Sequence, residues 1–115
     1  MSTRSRIGIK LEDGMVKSVY CHFDGYLEGV GHTLISHYND EKKVKKLIAM
    51  GDMSSLAESI EKSVFYKRDR GETGVSAQKH SMNEFPDCGQ EFEYLFTDGK
   101  WKARHVEGKW KTLKV

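Results

Sequence analysis

The stretch RIGIKLEDGMVKSVYCHF, residues 6–23, reads as two strands joined at Asp13-Gly14. Asp-Gly is a dipeptide that readily takes positive φ at both central positions of a two-residue type I′ hairpin loop. With a loop of that length Glu12 faces Met15, Leu11 faces Val16, Ile9 faces Ser18 and Ile7 faces Tyr20. Side chains alternate along a strand, so Ile7, Ile9, Leu11, Val16, Ser18 and Tyr20 are expected to form one core-facing wall. His22 continues that wall near Ser5, while Arg6, Gly8, Lys10, Lys17, Val19, Cys21 and Phe23 take the other face.

Asp98-Gly99 divides EFEYLFT from KWKARHV in the same way. The same pairing rule places Phe92, Tyr94, Phe96, Trp101, Ala103 and His105 on one face and sets Glu93 opposite Arg104 on the other. A turn at Glu107-Gly108 folds KWKTL back and brings Trp110 beside His105. Between the hairpins the apolar period changes from two to that of a helix. Val30, Leu34, Ile35 and Tyr38 form one stripe and Val44, Leu47 and Ile48 a second, with Asn39-Asp40 as break and N-cap and Gly51 as stop. SSLAESIEK, capped by Ser54 or Ser55, is expected to be a short helix leading into a strand at 63–66. Residues 67–90, with the single proline Pro86, lack a period and read as a long loop, functional or flexible. The fold expected is a single α+β domain over 1–115: an antiparallel sheet of five to six strands with two to three helices on one face.

The chain of 115 residues is 37% apolar and 31% charged, enough for one core and not for two. Nineteen basic against seventeen acidic residues give a net charge of +2, which does not point to nucleic acid. No apolar run approaches the ~20 residues that span a bilayer, and MSTRSRIG has no apolar signal region, so the chain is expected to stay in the compartment where it is made. Cys21 and Cys88 read as free thiols in a reducing cytoplasm.

The stretch YCHFDGY at 20–26 concentrates polar and aromatic groups at a strand end. Alternation sends Cys21 and His22 to opposite faces, a poor arrangement for a shared metal or a Cys-His pair. A nucleophilic Cys21 would need a base from elsewhere, His80 or His105. Neither CxxC nor HxxxH is present, and His32 and His37 are five apart, so no metal site or cofactor is expected. What remains for Tyr20, His22, Asp24 and Tyr26 is recognition at the edge of a pocket. A second candidate is YKRDRGETGVS at 66–76, where Lys67, Arg68 and Arg70 with Gly71, Thr73, Gly74 and Ser76 have the makings of an anion cradle, against the plainer reading that Asp69 and Glu72 neutralise the arginines. It is not a Walker A loop. Lys42, Lys43, Lys45 and Lys46 read as the solvated face of a helix, and Lys100, Lys102, Arg104, Lys109 and Lys111 as the wet outer face of the C-terminal meander.

TRSRIGI, YCHFDGY, LISHY, LIAMGDMSSL, YKRDRGE and EYLFTDGKW, in this order, resemble a family of small proteins encoded by tailed bacteriophages and prophages. The resemblance covers most of the chain and departs at Lys67, where a small residue is expected before RDRGE. It implies an accessory protein working in the cytoplasm of a bacterial host, in takeover of the host or evasion of its defences. Three classes of function follow. The first is a non-catalytic protein that binds a host or defence macromolecule through Tyr20, His22, Asp24, Tyr26, Arg68, Arg70 and Glu72, and no feature of the chain demands chemistry beyond that. The second is a binder of a small, nucleotide-like anion held by Tyr20, His22, Tyr26, Arg68 and Arg70. The third is an enzyme using His22 and Asp24. The aromatic meander suggests a homodimer.

Overall fold

The structure, a computed structural model, describes residues 3–114; Met1, Ser2 and Val115, the ends of the expected domain, lie outside the described residues. Strands β1 (Ser5–Lys10) and β2 (Val16–Cys21) form the first hairpin. A π-helical turn (Leu27–Gly31) runs into α1 (His32–His37), followed by α2 (Glu41–Ala49) and β3 (Met53–Ser55). Then come β4 (Val64–Phe65), α3 (Tyr66–Arg70), β5 (Gln78–His80), β6 (Phe92–Thr97), β7 (Lys100–His105) and β8 (Lys111–Thr112).

The chain is α+β, but the sheet has eight strands and is mixed, in the order β4-β3-β2-β1-β6-β7-β8 with β5 also on β2. The expectation of five or six antiparallel strands is corrected by two parallel pairings, β1 with β6 and β2 with β3. Both join segments far apart in sequence, which hairpin signals do not report.

The two Asp-Gly turns differ. Asp98 and Gly99 both have positive φ, 53° and 74°, and close the expected two-residue loop with Phe96 opposite Trp101 and Glu93 opposite Arg104. At the first turn only Gly14 has positive φ, 84°. Leu11 N–H bonds Met15 O at 2.8 Å, Gly14 N–H bonds Leu11 O at 3.0 Å, and the Asp13 carboxylate accepts from Met15 N–H at 2.9 Å. This is a three-residue loop with a bulge at Gly14. Its extra residue slips the register so that Ile7 faces Val19 and Lys10 faces Val16, in place of Ile7 with Tyr20 and Leu11 with Val16. A slip of one turns every side chain of the second strand to the other face. Val19 and Cys21 therefore join Ile7 and Ile9 under the helices, and Val16, Ser18 and Tyr20 join Arg6 and Gly8 on the opposite face.

Under the helices Ile7, Ile9, Val19, Tyr94, Phe96, Trp101 and Ala103 pack against Val30, Leu34, Tyr38, Val44, Leu47 and Ile48. Each large side chain taken fully from water contributes about 1.5–3 kcal/mol, so this layer supplies the main stabilisation. Trp101 Nε1 donates to Tyr38 O at 2.7 Å, tying the end of α1 to β7. Asp40 caps α2 by accepting from Lys42 N–H, and Gly51 follows it at φ 84°, as the sequence implies. Lys42, Lys45 and Lys46 face solvent, while Lys43 is half-buried with its ammonium 5.0 Å from the centre of the Tyr38 ring.

The second face of the sheet is also covered, and this corrects the reading of 67–90 as one loop. Residues 66–70 are helical, Gln78–His80 is a strand on β2, and the segment after it lies over Arg6 and Ser18. The expected helix SSLAESIEK does not form; Met53–Ser55 is a strand, paired with β2 and with Val64–Phe65. Pairing of buried Met53 and Ser54 outweighs the weak local preference for a helix. β8 folds back on β7 as expected, but Trp110 sits against Arg104 and Phe85 rather than beside His105. Lys111 faces Ala103, so it lies on the opposite side of the sheet from Lys102 and Arg104.

Candidate functional site

Beyond β2 the chain leaves the sheet through residues 22–26, and each step of the exit is fixed by backbone bonds. His22 N–H donates to Met53 O at 3.1 Å and Phe23 N–H to Ser54 O at 3.0 Å. Asp24 turns the chain at φ 58°, a conformation that Asp tolerates, and Gly25 N–H reaches Thr3 O at 2.8 Å. Tyr94 hydroxyl, buried below, donates to Gly25 O at 2.6 Å. Val30 N–H returns to Asp24 O at 2.8 Å, closing the loop onto the π-helical turn. Gly29 allows that closure, since a Cβ there would stand 2.3 Å from Asp24 O. π-Helical turns of this kind recur at functional sites.

On this fixed backbone Phe23, Tyr26 and Leu27 are 44%, 41% and 44% exposed, three of the four large exposed apolar side chains among the described residues. Phe23 and Leu27 were not singled out by sequence; the same YCHFDGY signal contained Phe23, and its exposure follows from the loop leaving the sheet. Tyr20 hydroxyl and His22 Nδ1 share a hydrogen bond of 2.6 Å, and the His22 ring stands edge-on to Phe23 at 4.5 Å. Tyr26 hydroxyl donates to Asp24 Oδ1 at 3.4 Å. Burial pushes the Tyr20 phenol up, with Arg4 opposing and Tyr66 adding to the rise. Tyr20, half-buried at the end of β2, and His22, Asp24 and Tyr26 of the loop that follows thus lie along one stretch of chain, in which each of His22 and Asp24 is engaged by a tyrosine.

The arginine segment is built differently from an anion cradle. Arg68 donates from Nε and Nη2 to the Asp69 carboxylate at 2.9 and 3.0 Å, from Nη1 to Ile60 O at 3.0 Å and from Nη2 to Ser63 O at 2.7 Å. Its donors staple 60–63 to α3, while Asp69 accepts from Phe65 N–H at 2.8 Å and starts that helix. The Asp69 carboxyl is held below its usual range by Arg68 first and then by the Phe65 amide. Arg70 lies over the Tyr66 ring at 5.3 Å, and Glu72 is exposed with its N–H on Tyr66 O.

The polar cluster that sequence reasoning missed lies on the second face. Arg6, 1% exposed, donates Nε–H to Ser18 Oγ and Nη2–H to Ser18 O, both at 3.0 Å, with Nη1 3.9 Å from Cys88 Sγ. Ser18 Oγ meets His80 Nε2 at 2.6 Å, and His80 Nδ1 meets Ser81 O at 2.8 Å. A carbonyl only accepts, so Nδ1 carries the proton, Nε2 is bare and the serine O–H donates to it. The polarity is that of a nucleophile and its base. Yet Ser18 is wholly buried and its oxygen already takes the Arg6 N–H, so the trio clamps β5 and the following segment to β2. Alongside, buried Glu93 accepts from Arg104 Nε at 2.7 Å and Gln90 Nε2 at 3.0 Å, and Gln90 Oε1 takes Cys88 N–H at 2.9 Å.

Cys21 is buried and its thiol is pushed up to about 12 by desolvation, so it is inert as a nucleophile. His80, offered as its base, is bonded to Ser18, and burial followed by Arg6 lowers its pKa against the opposing Ser81 and Glu93. Among the described residues no three His, Cys, Asp or Glu side chains are grouped to hold a metal ion, and no helix is long and apolar enough to cross a membrane. One cleft of 460 Å³ lies between the two hairpin turns, by Lys10, Leu11, Asn39 and Asp98. Another, of 450 Å³, begins at Leu27 and follows the C-terminal meander. Compared with protein-family models, curated proteins and solved structures, the chain matches none.

Proposed function

We propose that the protein is a non-catalytic binding protein whose loop at 20–27 seats on a macromolecular partner, a host or defence protein of the bacterium in which a phage accessory protein would act. The observation that carries this reading is the placing of Phe23, Tyr26 and Leu27 at the surface of a loop whose backbone is tied to Thr3, Met53, Ser54 and Tyr94. Exposed aromatics on a rigid base lose little conformational entropy on binding and are the type of residue that anchors protein interfaces. Tyr20, His22 and Asp24 supply polar contacts round them. The nucleotide-like alternative is less well supported, because Arg68 already makes four hydrogen bonds within the protein.

The test is quantitative capture from bacterial lysate on immobilised protein, repeated with Phe23→Ala, Tyr26→Ala and, as a control on a remote face, Lys46→Ala. A truncated interface anchor costs about 2 kcal/mol or more, roughly thirtyfold in affinity. A specific band retained by Lys46→Ala and lost from both loop variants is the expected result. Capture indifferent to both loop variants refutes the reading. So does a small adduct in native mass spectrometry that needs Arg70, or a dimer that Phe23→Ala dissociates in sedimentation, which reassigns the patch to self-association.

A further inference from the structure

The 450 Å³ groove that starts at Leu27 has an apolar floor of Phe92, Ala103 and Leu113. Lys111 pairs with Ala103 across the two strands, so its side chain lies on the groove face, and alternation brings Leu113 to the same side. Leu113 is fixed there by its N–H on Trp101 O at 2.9 Å and by packing against the core. Lys109, Lys111 and Lys114 stand round the floor, and among the described residues none of the three has a carboxylate within ion-pair distance. Among the described residues no Asp or Glu lines the groove, although the chain as a whole carries 17 acidic against 19 basic residues. The positive charge is therefore segregated here and not a reflection of composition.

The groove also borders an open strand. β8 ends the sheet, and since Leu113 N–H points inward to β7, the alternate residue Thr112 turns its N–H and C=O outward. We propose that the groove receives an extended acidic segment of the protein partner, laid beside β8. Its groove-side residues, apolar and acidic by turns, rest on Leu113 and meet Lys109 and Lys111, and a carboxylate on its other side meets Lys114. Strand addition supplies affinity through the main chain, while the apolar floor and basic rim select sequence. The inference rests on the reading of the 20–27 loop as a partner contact, because Leu27 belongs to both surfaces.

The probe is a fluorescein-labelled decapeptide with Leu and Glu taking turns at its odd positions and Thr between them, so that both types fall on the groove face, titrated with the full chain by fluorescence anisotropy against a Leu-Lys peptide with Lys for each Glu. The Leu-Glu peptide is expected to bind and the Leu-Lys peptide not. Its affinity should fall on the order of tenfold in Lys111→Glu, further in Lys111→Glu/Lys114→Glu, and similarly on raising salt from about 0.05 to 0.5 M. Leu113→Asp should abolish binding; where that variant melts early, the exposed lysine variants decide alone. Equal binding of both peptides, no binding of either, or binding indifferent to the lysine reversals overturns the proposal. Tighter binding of a single-stranded oligonucleotide or of phosphatidylglycerol vesicles, lost in the same variants, also overturns it, as does a dimer that Leu113→Asp dissolves. If loop variants lose capture from lysate while the peptide fails, this inference falls and the loop reading stands. If the peptide binds while capture ignores the loop, the loop reading falls.

Discussion

Removing the Ser18 hydroxyl tests whether the second face of the sheet is a dry, bonded layer. In Ser18→Ala the Arg6 Nε–H loses its acceptor at 3.0 Å and His80 Nε2 loses its donor at 2.6 Å, while Arg6 keeps its bond to the Ser18 carbonyl. Both orphaned groups are buried, and each costs about 1–3 kcal/mol when left without a partner. The methyl group fills most of the vacated space, so the cavity adds little. The sum is about 3 kcal/mol, and at roughly 4 °C per kcal/mol for a chain of this size Tm should drop by about 12 °C. Urea titration followed by tryptophan fluorescence and by circular dichroism gives the free energy directly. The loss should be smaller when His80 is first replaced by Leu, because one of the two orphans is then already gone. A loss under about 0.5 kcal/mol, with no coupling to His80, would mean that water satisfies both groups, and the reasoning would fail.

Two further outcomes follow from the same geometry. The folded pKa of His80 is depressed, so on acidification the unfolded chain takes up the proton first. Its contribution is intact above the unfolded value of about 6.5 and is lost as pH falls from there towards the folded value, at up to about 1.4 kcal/mol per pH unit. Urea midpoints from about pH 7.5 to 5 should therefore fall more steeply for the parent than for His80→Gln, and parallel curves would show that His80 is not buried in its neutral form. Gly29→Ala places a Cβ 2.3 Å from Asp24 O, and the bond from Val30 N–H to that oxygen must break or lengthen. Destabilisation of about 1–3 kcal/mol should come with faster amide exchange at Val30 and weaker partner capture; an unchanged melt with unchanged exchange would show that the loop yields at no cost.

The elements visible in the sequence were those whose determinants lie within a few residues. Asp98-Gly99, Asp40 before α2 and the stripe Val44, Leu47, Ile48 specify a turn, a cap and a buried helix face by local sterics and hydrogen bonding. YCHFDGY likewise marked the end of β2 and the turn that follows it. Asp13-Gly14 carries the same dipeptide as the second hairpin, but its turn length was settled elsewhere. With both faces of the sheet covered, Val19 and Cys21 fit beneath the helices while Val16 and Ser18 fit beneath the segment after β5, and a slip of one residue satisfies both layers. The parallel pairing of β1 with β6 and the bond from Ser18 to His80, 62 residues away, have no periodic trace in the chain. Which face of a strand is buried, and which aromatics of a loop stay in water, depend on what packs above them. Local sequence was enough for the strands of the two hairpins, the Asp98-Gly99 turn and the capped helix α2; the register of β2, the strand at Met53–Ser55, the buried Arg6 clamp and the exposure of Phe23, Tyr26 and Leu27 come from contacts between segments that the chain order keeps apart.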